Sequence, residues 1–176
     1  MIDCMADLET LGTTPETPVV SLGAVFFDIA TKTIGPTFYM IMEIDEQLSR
    51  GRRPTGSTLK WWFTQTDAAK RVFHEKAQPT KVVLETFALW YKSQYSKGAF
   101  IWGNGSTFDI SILENMYRDY GLPIPWGYNK VMDLRTFKRF EAGGAQIPNT
   151  GVAHNALDDA IAQAQYVMDN VRAPLE

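Results

Sequence analysis

The sequence has little cysteine and no long apolar run. Cys4 is the only cysteine among 176 residues, which excludes an intrachain disulfide and a cysteine-cluster zinc site. No apolar run approaches the roughly 20 residues that a membrane helix needs. Acidic residues interrupt the first positions, where a secretory signal would be basic and then apolar. We therefore expect a cytoplasmic protein with no membrane partner.

The sequence also lacks an excess of positive charge. Its formal net charge is −3, which argues against a protein that coats nucleic acid through bulk charge. An enzyme that holds a nucleic-acid end through divalent cations is not excluded, because the metals then supply the positive charge. The chain has 45% hydrophobic and 21% charged residues and no repeat or linker. Its length and composition therefore predict one soluble globular domain over residues 1–176.

The pattern of apolar residues predicts an α/β domain. Residues 1–9, 19–28 and 34–43 are predicted to be three strands of an antiparallel meander, with a hairpin turn at 30–33. Helices are expected at 57–63, capped by Ser57, at 67–76 and at 79–91. They are followed by a strand at 99–102, a helix at 106–120, a strand and helix within 129–140, a loop over 141–152 and a last helix from about Asn155. This order predicts a mixed central sheet of about five strands flanked by helices.

Two acids lie at the end of the first predicted strand. Asp7 and Glu9 are two residues apart, so both carboxylates project from the same side of the sheet. Two like charges held that close repel each other unless a cation lies between them, and Mg²⁺ or Mn²⁺ suits such oxygen ligands. A solvent-facing strand surface explains the same pair, because two acids in a D-x-E pattern are common.

A third acid follows the strand predicted at 99–102. Asp109 comes after the Gly103-Asn104-Gly105 turn, in the first turn of a predicted helix. Ser106 and Asp109 match a capping box, which would make Asp109 a structural residue. The strand–turn–helix setting favours a ligand site instead, since open α/β sheets place ligands at such positions. Both interpretations stay open at this point.

The last predicted helix begins within the segment His154-Asn155-Ala156-Leu157-Asp158-Asp159. Asn155 is a good N-cap, and Asp158, three residues later, would be its capping partner. This places His154 in the preceding loop and leaves Asp159 to face the sheet or a metal. A surface loop histidine is the simpler interpretation of His154. The other histidine, His74, lies in a charged helical stretch and is expected to be exposed.

Together these signals form an ordered series of D-x-E on the first strand, F-D at a helix start and H-x-A-x-x-D near the C-terminus. The series resembles the DEDD exonucleases of the histidine subclass, which have an RNase H-like fold. Within that group, two segments resemble a compact branch of phage exonucleases and mycobacterial-type 3′–5′ exoribonucleases: Asp7-Leu8-Glu9-Thr10-Leu11-Gly12 and Trp102-Gly103-Asn104. The resemblance covers nearly the whole chain.

The resemblance implies a role for each matched residue. Four acids would bind two divalent cations, Mg²⁺ or Mn²⁺, that stabilise the entering and leaving oxygens of a phosphoryl displacement: Asp7, Glu9, Asp109 and Asp159. His154 would be the general base. Four further residues match positions at which the family contacts its substrate: Thr10, Leu11, Asn104 and Phe108.

The same resemblance implies the reaction. The chain would hydrolyse phosphodiester bonds at the 3′ end of single-stranded DNA or RNA, or of a 3′ overhang, and release nucleoside 5′-monophosphates. Small nucleases of this group are often dimeric, so a homodimer is compatible with it. Two alternatives share the fold. A binding module without catalysis would usually lack a metal ligand, and an RNase H-type endonuclease would cut a chain whose 3′ end is blocked.

Several residues outside the series have no assigned role. Trp61 and Trp62 invite base stacking, although burial of at least one of them in the core is expected. Three basic residues before the helix at 57–63 are compatible with a phosphate contact or with a solvated loop: Arg50, Arg52 and Arg53. Asp133 and Arg135 follow in the region of the next strand, near the expected site.

Overall fold

A five-stranded mixed sheet forms the centre of the protein. The computed structural model describes residues 2–94, 99–140, 146–148 and 151–171. The strands are β1 (Ile2–Thr10), β2 (Val19–Asp28), β3 (Thr33–Ile41), β4 (Ile101–Gly103) and β5 (Val131–Asp133), in the order β3-β2-β1-β4-β5. The first three strands are antiparallel, and β4 and β5 run parallel to β1. The predicted meander and mixed sheet are confirmed.

Helices cover both faces of this sheet. They are α1 (Ile44–Ser49), α2 (Gly56–Phe63), α3 (Asp67–Lys70), α4 (Thr80–Ser93), α5 (Asp109–Asp119), α6 (Leu134–Phe140) and α7 (Ala156–Asn170), with a 3-10 turn at Arg71–Phe73. One core cluster contains Phe87 of α4 and Leu113 of α5. A second contains Leu134 of α6 and Val167 of α7. In the described ranges, none of the helices combines the length and apolar character that crossing a membrane requires.

The alternation of side chains along β1 and β2 explains where polar groups are allowed. Phe26 of β2 belongs to the core with α4 and α5, and its neighbour Phe27 belongs to the core with α7. A strand with both faces covered needs apolar residues at nearly every position. On β1, Met5 packs on the α7 side, and the next two residues on that side are Asp7 and Glu9. On the α7 side of the sheet, the apolar side chains of β1 are therefore followed by two carboxylates near the end of the strand.

Three helix predictions are corrected by the structure. Ser57 lies inside α2, which begins at Gly56 without a side-chain cap. The helix predicted over 67–76 ends as the 3-10 turn, and its N-cap is Thr66, whose Oγ1 accepts a hydrogen bond from Ala69 N. The helix predicted from Ser106 begins three residues later. Part of the loop predicted over 141–152 lies outside the described residues.

Candidate active site

The acids of β1 meet the first turns of α7. Gln163 Nε2 donates a hydrogen bond to Asp7 Oδ1 at 2.8 Å, and Glu9 is 6% exposed. Gly23 is the partner of Asp7 on β2, and a Cβ atom there would lie 2.2 Å from the carbonyl carbon of Ala156. Only glycine leaves room for the start of α7 to lie directly on the sheet at this point.

Asp109 reaches the same strand from the start of α5. Its Oδ1 accepts a hydrogen bond from Leu8 N at 3.3 Å, and its side chain is buried. Ser106 does not cap α5; its N–H donates to Asp133 Oδ2 at 2.6 Å. The capping-box interpretation of Asp109 is therefore wrong. Asp133, whose role the sequence left open, holds the turn before α5.

The loop before α7 holds His154 next to Asp159. Asn155 Oδ1 accepts hydrogen bonds from two backbone N–H groups of the first turn, so the predicted N-cap is confirmed. His154 has a φ of +64°, in the left-handed region that few non-glycine residues adopt. Its N–H donates to Asp159 Oδ2 at 3.1 Å. Asp158 accepts from Val152 N instead of pairing with the cap, so its predicted capping role is wrong.

A cavity of about 780 Å³ brings the predicted residues together. Glu9, His154 and Asp159 each offer a ligand atom, and these atoms lie within 4.8 Å of one another. Asp7 lines the same cavity. Asp109 is not at its surface, but its charge acts directly on Asp7.

Three of the four predicted substrate-contact residues also line this cavity: Thr10, Asn104 and Phe108. Leu11 does not line it. The Leu11 side chain is buried in a separate apolar cluster with Val20, Ile41 and Trp62.

Burial raises the pKa of all four acids, and the charges of neighbouring acids raise the pKa of Asp7 and Glu9 further. Burial raises the pKa of Asp7 well above its ordinary value, and the charges of Asp109 and Glu9 raise it further. Burial and the charges of Asp159 and Asp109 raise the pKa of Glu9 to about 8. Burial also raises the pKa of Asp159. It raises the pKa of Asp109 to about 7, although backbone N–H groups and the Arg135 guanidinium oppose this.

Near neutral pH, four carboxyl groups in this arrangement ionise together far more readily when a cation compensates their repulsion. The donor set consists of carboxylate oxygens with one imidazole beside them. Hard oxygen ligands of this kind fit Mg²⁺ or Mn²⁺ better than soft, thiolate-preferring metals. The residues present therefore fit a divalent-cation site.

Residues from α2 and α6 complete the cavity. Trp61 is 40% exposed, and its ring meets that of His154 edge-to-face with centroids 4.7 Å apart. Trp62 is buried and donates from Nε1 to Thr10 O, which confirms the expected burial of one tryptophan. Arg135 is the only lysine or arginine among the described residues that line the cavity.

Gln163 contacts Asp7 but was not among the residues predicted from the sequence. It lies four residues after Asp159, so helical spacing placed it on the same face of α7. An uncharged amide among many glutamines nevertheless gave no reason to select it.

The basic segment before α2 does not line the cavity. Arg52 is 3% exposed. Its guanidinium donates to the carbonyl oxygens of Pro15 and Thr17 and to the Asp119 carboxylate. Arg50 lies over the Tyr120 ring, 4.2 Å from its centroid. For Arg52, both predicted alternatives, a phosphate contact and a solvated loop, are therefore wrong. His74 is exposed, as predicted.

Solved structures of known nucleases share this fold. The nuclease domain of 3′hExo, a DEDDh family member bound to rAMP, has a TM-score of 0.67 and 18% identity over 96% of this chain and 90% of that chain. Cell-death related nuclease 4 (CRN-4) has a TM-score of 0.65 and 14% identity over 95% of this chain and 63% of that chain. E. coli Exonuclease I in complex with a dT13 oligonucleotide has a TM-score of 0.63 and 16% identity, and the match covers 95% of this chain and 40% of that chain.

These similarities confirm the RNase H-like fold predicted from the sequence. No curated protein sequence matches the chain significantly. The family model of the 3′–5′ exoribonuclease Rv2179c-like domain matches residues 3–170, a range that contains all five predicted catalytic residues. The chain therefore belongs to the family of Rv2179c-like 3′–5′ exoribonuclease domains and is a nuclease of the 3′–5′ exonuclease class.

Proposed function

We propose that this protein removes nucleotides from the 3′ end of single-stranded RNA and releases nucleoside 5′-monophosphates. The observation that carries the proposal is the convergence of acids from β1 and α7 with His154 at one cavity, where the charge of Asp109 from α5 also acts on Asp7. The choice of RNA over DNA is supported by the exoribonuclease description of the family. The nuclease domain of 3′hExo bound to rAMP is in accord with it.

The cations of this mechanism would be held by the four acids, Asp7, Glu9, Asp109 and Asp159. When bound, two divalent ions would supply the positive charge that the entering and leaving oxygens of an in-line displacement require. The chain fixes the ligands beforehand, since Leu8 N holds Asp109 and Gln163 holds Asp7. This arrangement limits the reorganisation that is needed when a phosphate arrives.

His154 is the proposed general base. An imidazole accepts a proton readily near neutral pH, and one of the ring nitrogens of His154 would take the proton of the attacking water. Its backbone is anchored on Asp159 and its ring on Trp61. These two contacts hold the ring beside the acids while the strained loop conformation leaves it at the cavity surface.

Uncharged and basic groups around the acids would bind the substrate. The exposed part of Trp61 offers a surface on which a base can stack, a contact worth about 1–3 kcal/mol per base. Arg135 supplies a guanidinium that suits a phosphate, which it can bind with two parallel hydrogen bonds. Thr10, Asn104 and Phe108 line the same cavity.

A time course on 5′-labelled oligonucleotides tests the proposal. Single-stranded RNA, the same sequence as DNA, and RNA with a blocked 3′ end are incubated with Mg²⁺, Mn²⁺ or EDTA. We expect a metal-dependent ladder that shortens one nucleotide at a time, faster on RNA, and no ladder on the blocked substrate. Faster cleavage of DNA would overturn the choice of sugar alone, and cutting of the blocked substrate would indicate an endonuclease.

Two adjacent acids provide a matched pair of variants. Asp159→Asn removes a proposed metal ligand and should abolish turnover. Asp158→Asn keeps an oxygen that accepts from Val152 N, so it should retain most of the activity. Equal activity in both variants would contradict the assigned metal site. If the wild-type protein forms retarded complexes with the oligonucleotides on a native gel but cleaves none of them, a binding module would be favoured.

A further inference from the structure

A buried glutamine contacts the acid at the centre of the site. Gln163 is 4% exposed and lies on α7 one turn after Asp159. Its Nε2 donates to Asp7 Oδ1 at 2.8 Å. Only the NH₂ end of an amide can donate to a carboxylate, so this contact determines which way the amide faces.

The other end of the same amide has no partner. Oε1 of Gln163 is buried and accepts no hydrogen bond from any of the described residues. A buried polar atom without a partner is unfavourable, and methionine would fill a similar volume without introducing one. Packing alone therefore does not explain a glutamine at this position, whereas its contact with Asp7 does.

The hydrogen bond also joins the two elements that carry most of the acids. Asp7 and Glu9 belong to β1, and Asp159 belongs to α7. The residues that it connects are 156 positions apart in the chain. A bond between Gln163 and Asp7 therefore restricts both the rotation of the Asp7 carboxylate and the position of α7 relative to β1.

We propose that Gln163 is a positioning residue that holds the Asp7 carboxylate in the orientation in which it binds a divalent cation. The proposal rests on the proposed function, because it concerns the same metal site. Groups that orient metal ligands in this way typically change metal affinity or activity about 10–100-fold when they are removed. The effect of Gln163 is expected in metal affinity, since its side chain bonds directly to Asp7, a proposed metal ligand.

Mn²⁺ binding measured by calorimetry without nucleic acid tests this role. Gln163→Met keeps the length of the side chain and removes the hydrogen bond. Gln165→Met is the matched control, because Gln165 is exposed on the same helix and bonds to Asp169. We expect the Kd for Mn²⁺ to rise about 10–100-fold in Gln163→Met and to stay within about twofold in Gln165→Met.

A second variant separates the hydrogen bond from the polarity of the site. Gln163→Asn keeps a buried amide but is one methylene shorter, so it should lose the contact with Asp7 and show the same weakening. Thermal melts in EDTA report whether each variant folds without metal. A folded variant that binds Mn²⁺ as tightly as the wild type overturns the proposal, and so does unfolding of both variants.

The kinetics distinguish positioning of a metal ligand from contact with the substrate. At saturating Mn²⁺, the KM of Gln163→Met for RNA should equal that of the wild type, and most of the rate should return. A raised KM that persists at saturating Mn²⁺ would instead make Gln163 a substrate contact. If the wild type is an active exonuclease and Gln163→Met binds Mn²⁺ normally, this inference fails while the proposed function stands. A wild type without Mn²⁺ binding would overturn both.

Discussion

Removal of divalent cations should make the stability of this protein depend strongly on pH. Burial and the charges of Asp159 and Asp109 raise the pKa of Glu9 from 4.5 to about 8. A carboxyl group whose pKa is higher in the folded than in the unfolded state binds its proton more tightly when folded. The resulting stabilisation is therefore fully present below pH 4.5 and is lost as the pH rises to about 8.

The expected change is large enough to measure. Between pH 5 and pH 8, the free energy of unfolding should fall by about 4 kcal/mol for Glu9 alone, at about 1.4 kcal/mol per pKa unit. The pKa values of Asp7 and Asp159 are raised as well, so their effects have the same sign. For a chain of this length, 1 kcal/mol moves the Tm by about 2–4 °C. The metal-free Tm should therefore fall by on the order of 10 °C.

Thermal melts in EDTA and in Mg²⁺ or Mn²⁺ across this pH range provide the assay. A cation that binds the ionised acids restores the stability, so the gain in Tm should be large near pH 8 and small near pH 5. Glu9→Gln removes one titrating proton and is the control, with a flatter metal-free curve and a smaller gain from metal. A wild-type Tm that stays constant in EDTA from pH 5 to pH 8 would contradict a raised pKa of Glu9 in the folded protein.

Three further substitutions should act on separate properties. His154→Ala should lower kcat by about 10²–10⁴-fold at saturating metal, the usual share of a general base; an unchanged kcat would mean that another group activates the water. Arg135→Ala should weaken the binding of a single-stranded oligonucleotide and reduce the slope of log K against log salt by about 0.7. Arg118→Ala, a change of an exposed arginine away from the cavity, should leave that slope unchanged, and equal slopes in both variants would contradict the phosphate contact. Arg52→Ala should lower the free energy of unfolding by about 1–3 kcal/mol because it leaves the buried Thr17 carbonyl oxygen without its partner, and a denaturant titration that shows no loss would contradict this.

The local placement of Asp7, Glu9 and His154 could be predicted because short-range rules determine it. The period of a strand puts Asp7 and Glu9 on one side of the sheet. The preference of asparagine for the N-cap puts His154 just outside α7. Each of these statements concerns neighbouring residues only, and short-range patterns of this kind are visible in the printed sequence.

Contacts between distant segments could not be predicted in the same way. Leu11 and Trp62 are apolar residues near the site, and no local pattern distinguishes a substrate contact from a core residue. The structure places both in the core. Ser106 and Asp109 satisfied the spacing of a capping box. In the structure, however, Ser106 N–H bonds to Asp133 and the Asp109 carboxylate accepts a hydrogen bond from Leu8 N. A strong local motif was wrong there because more favourable long-range partners were available.

The packing of α7 on the sheet links the stability of this protein to its site. The close approach at Gly23 brings Ala156 against β2, and the same helix then carries Asp159 and Gln163 to Asp7. Without a cation, the repulsion between Asp159 of α7 and the acids of β1, Asp7 and Glu9, opposes that packing. Either protonation or a bound divalent ion relieves the repulsion, so both should stabilise the same interface. Metal affinity and folding stability are therefore expected to change together in variants of the α7–β1 interface and separately in variants elsewhere.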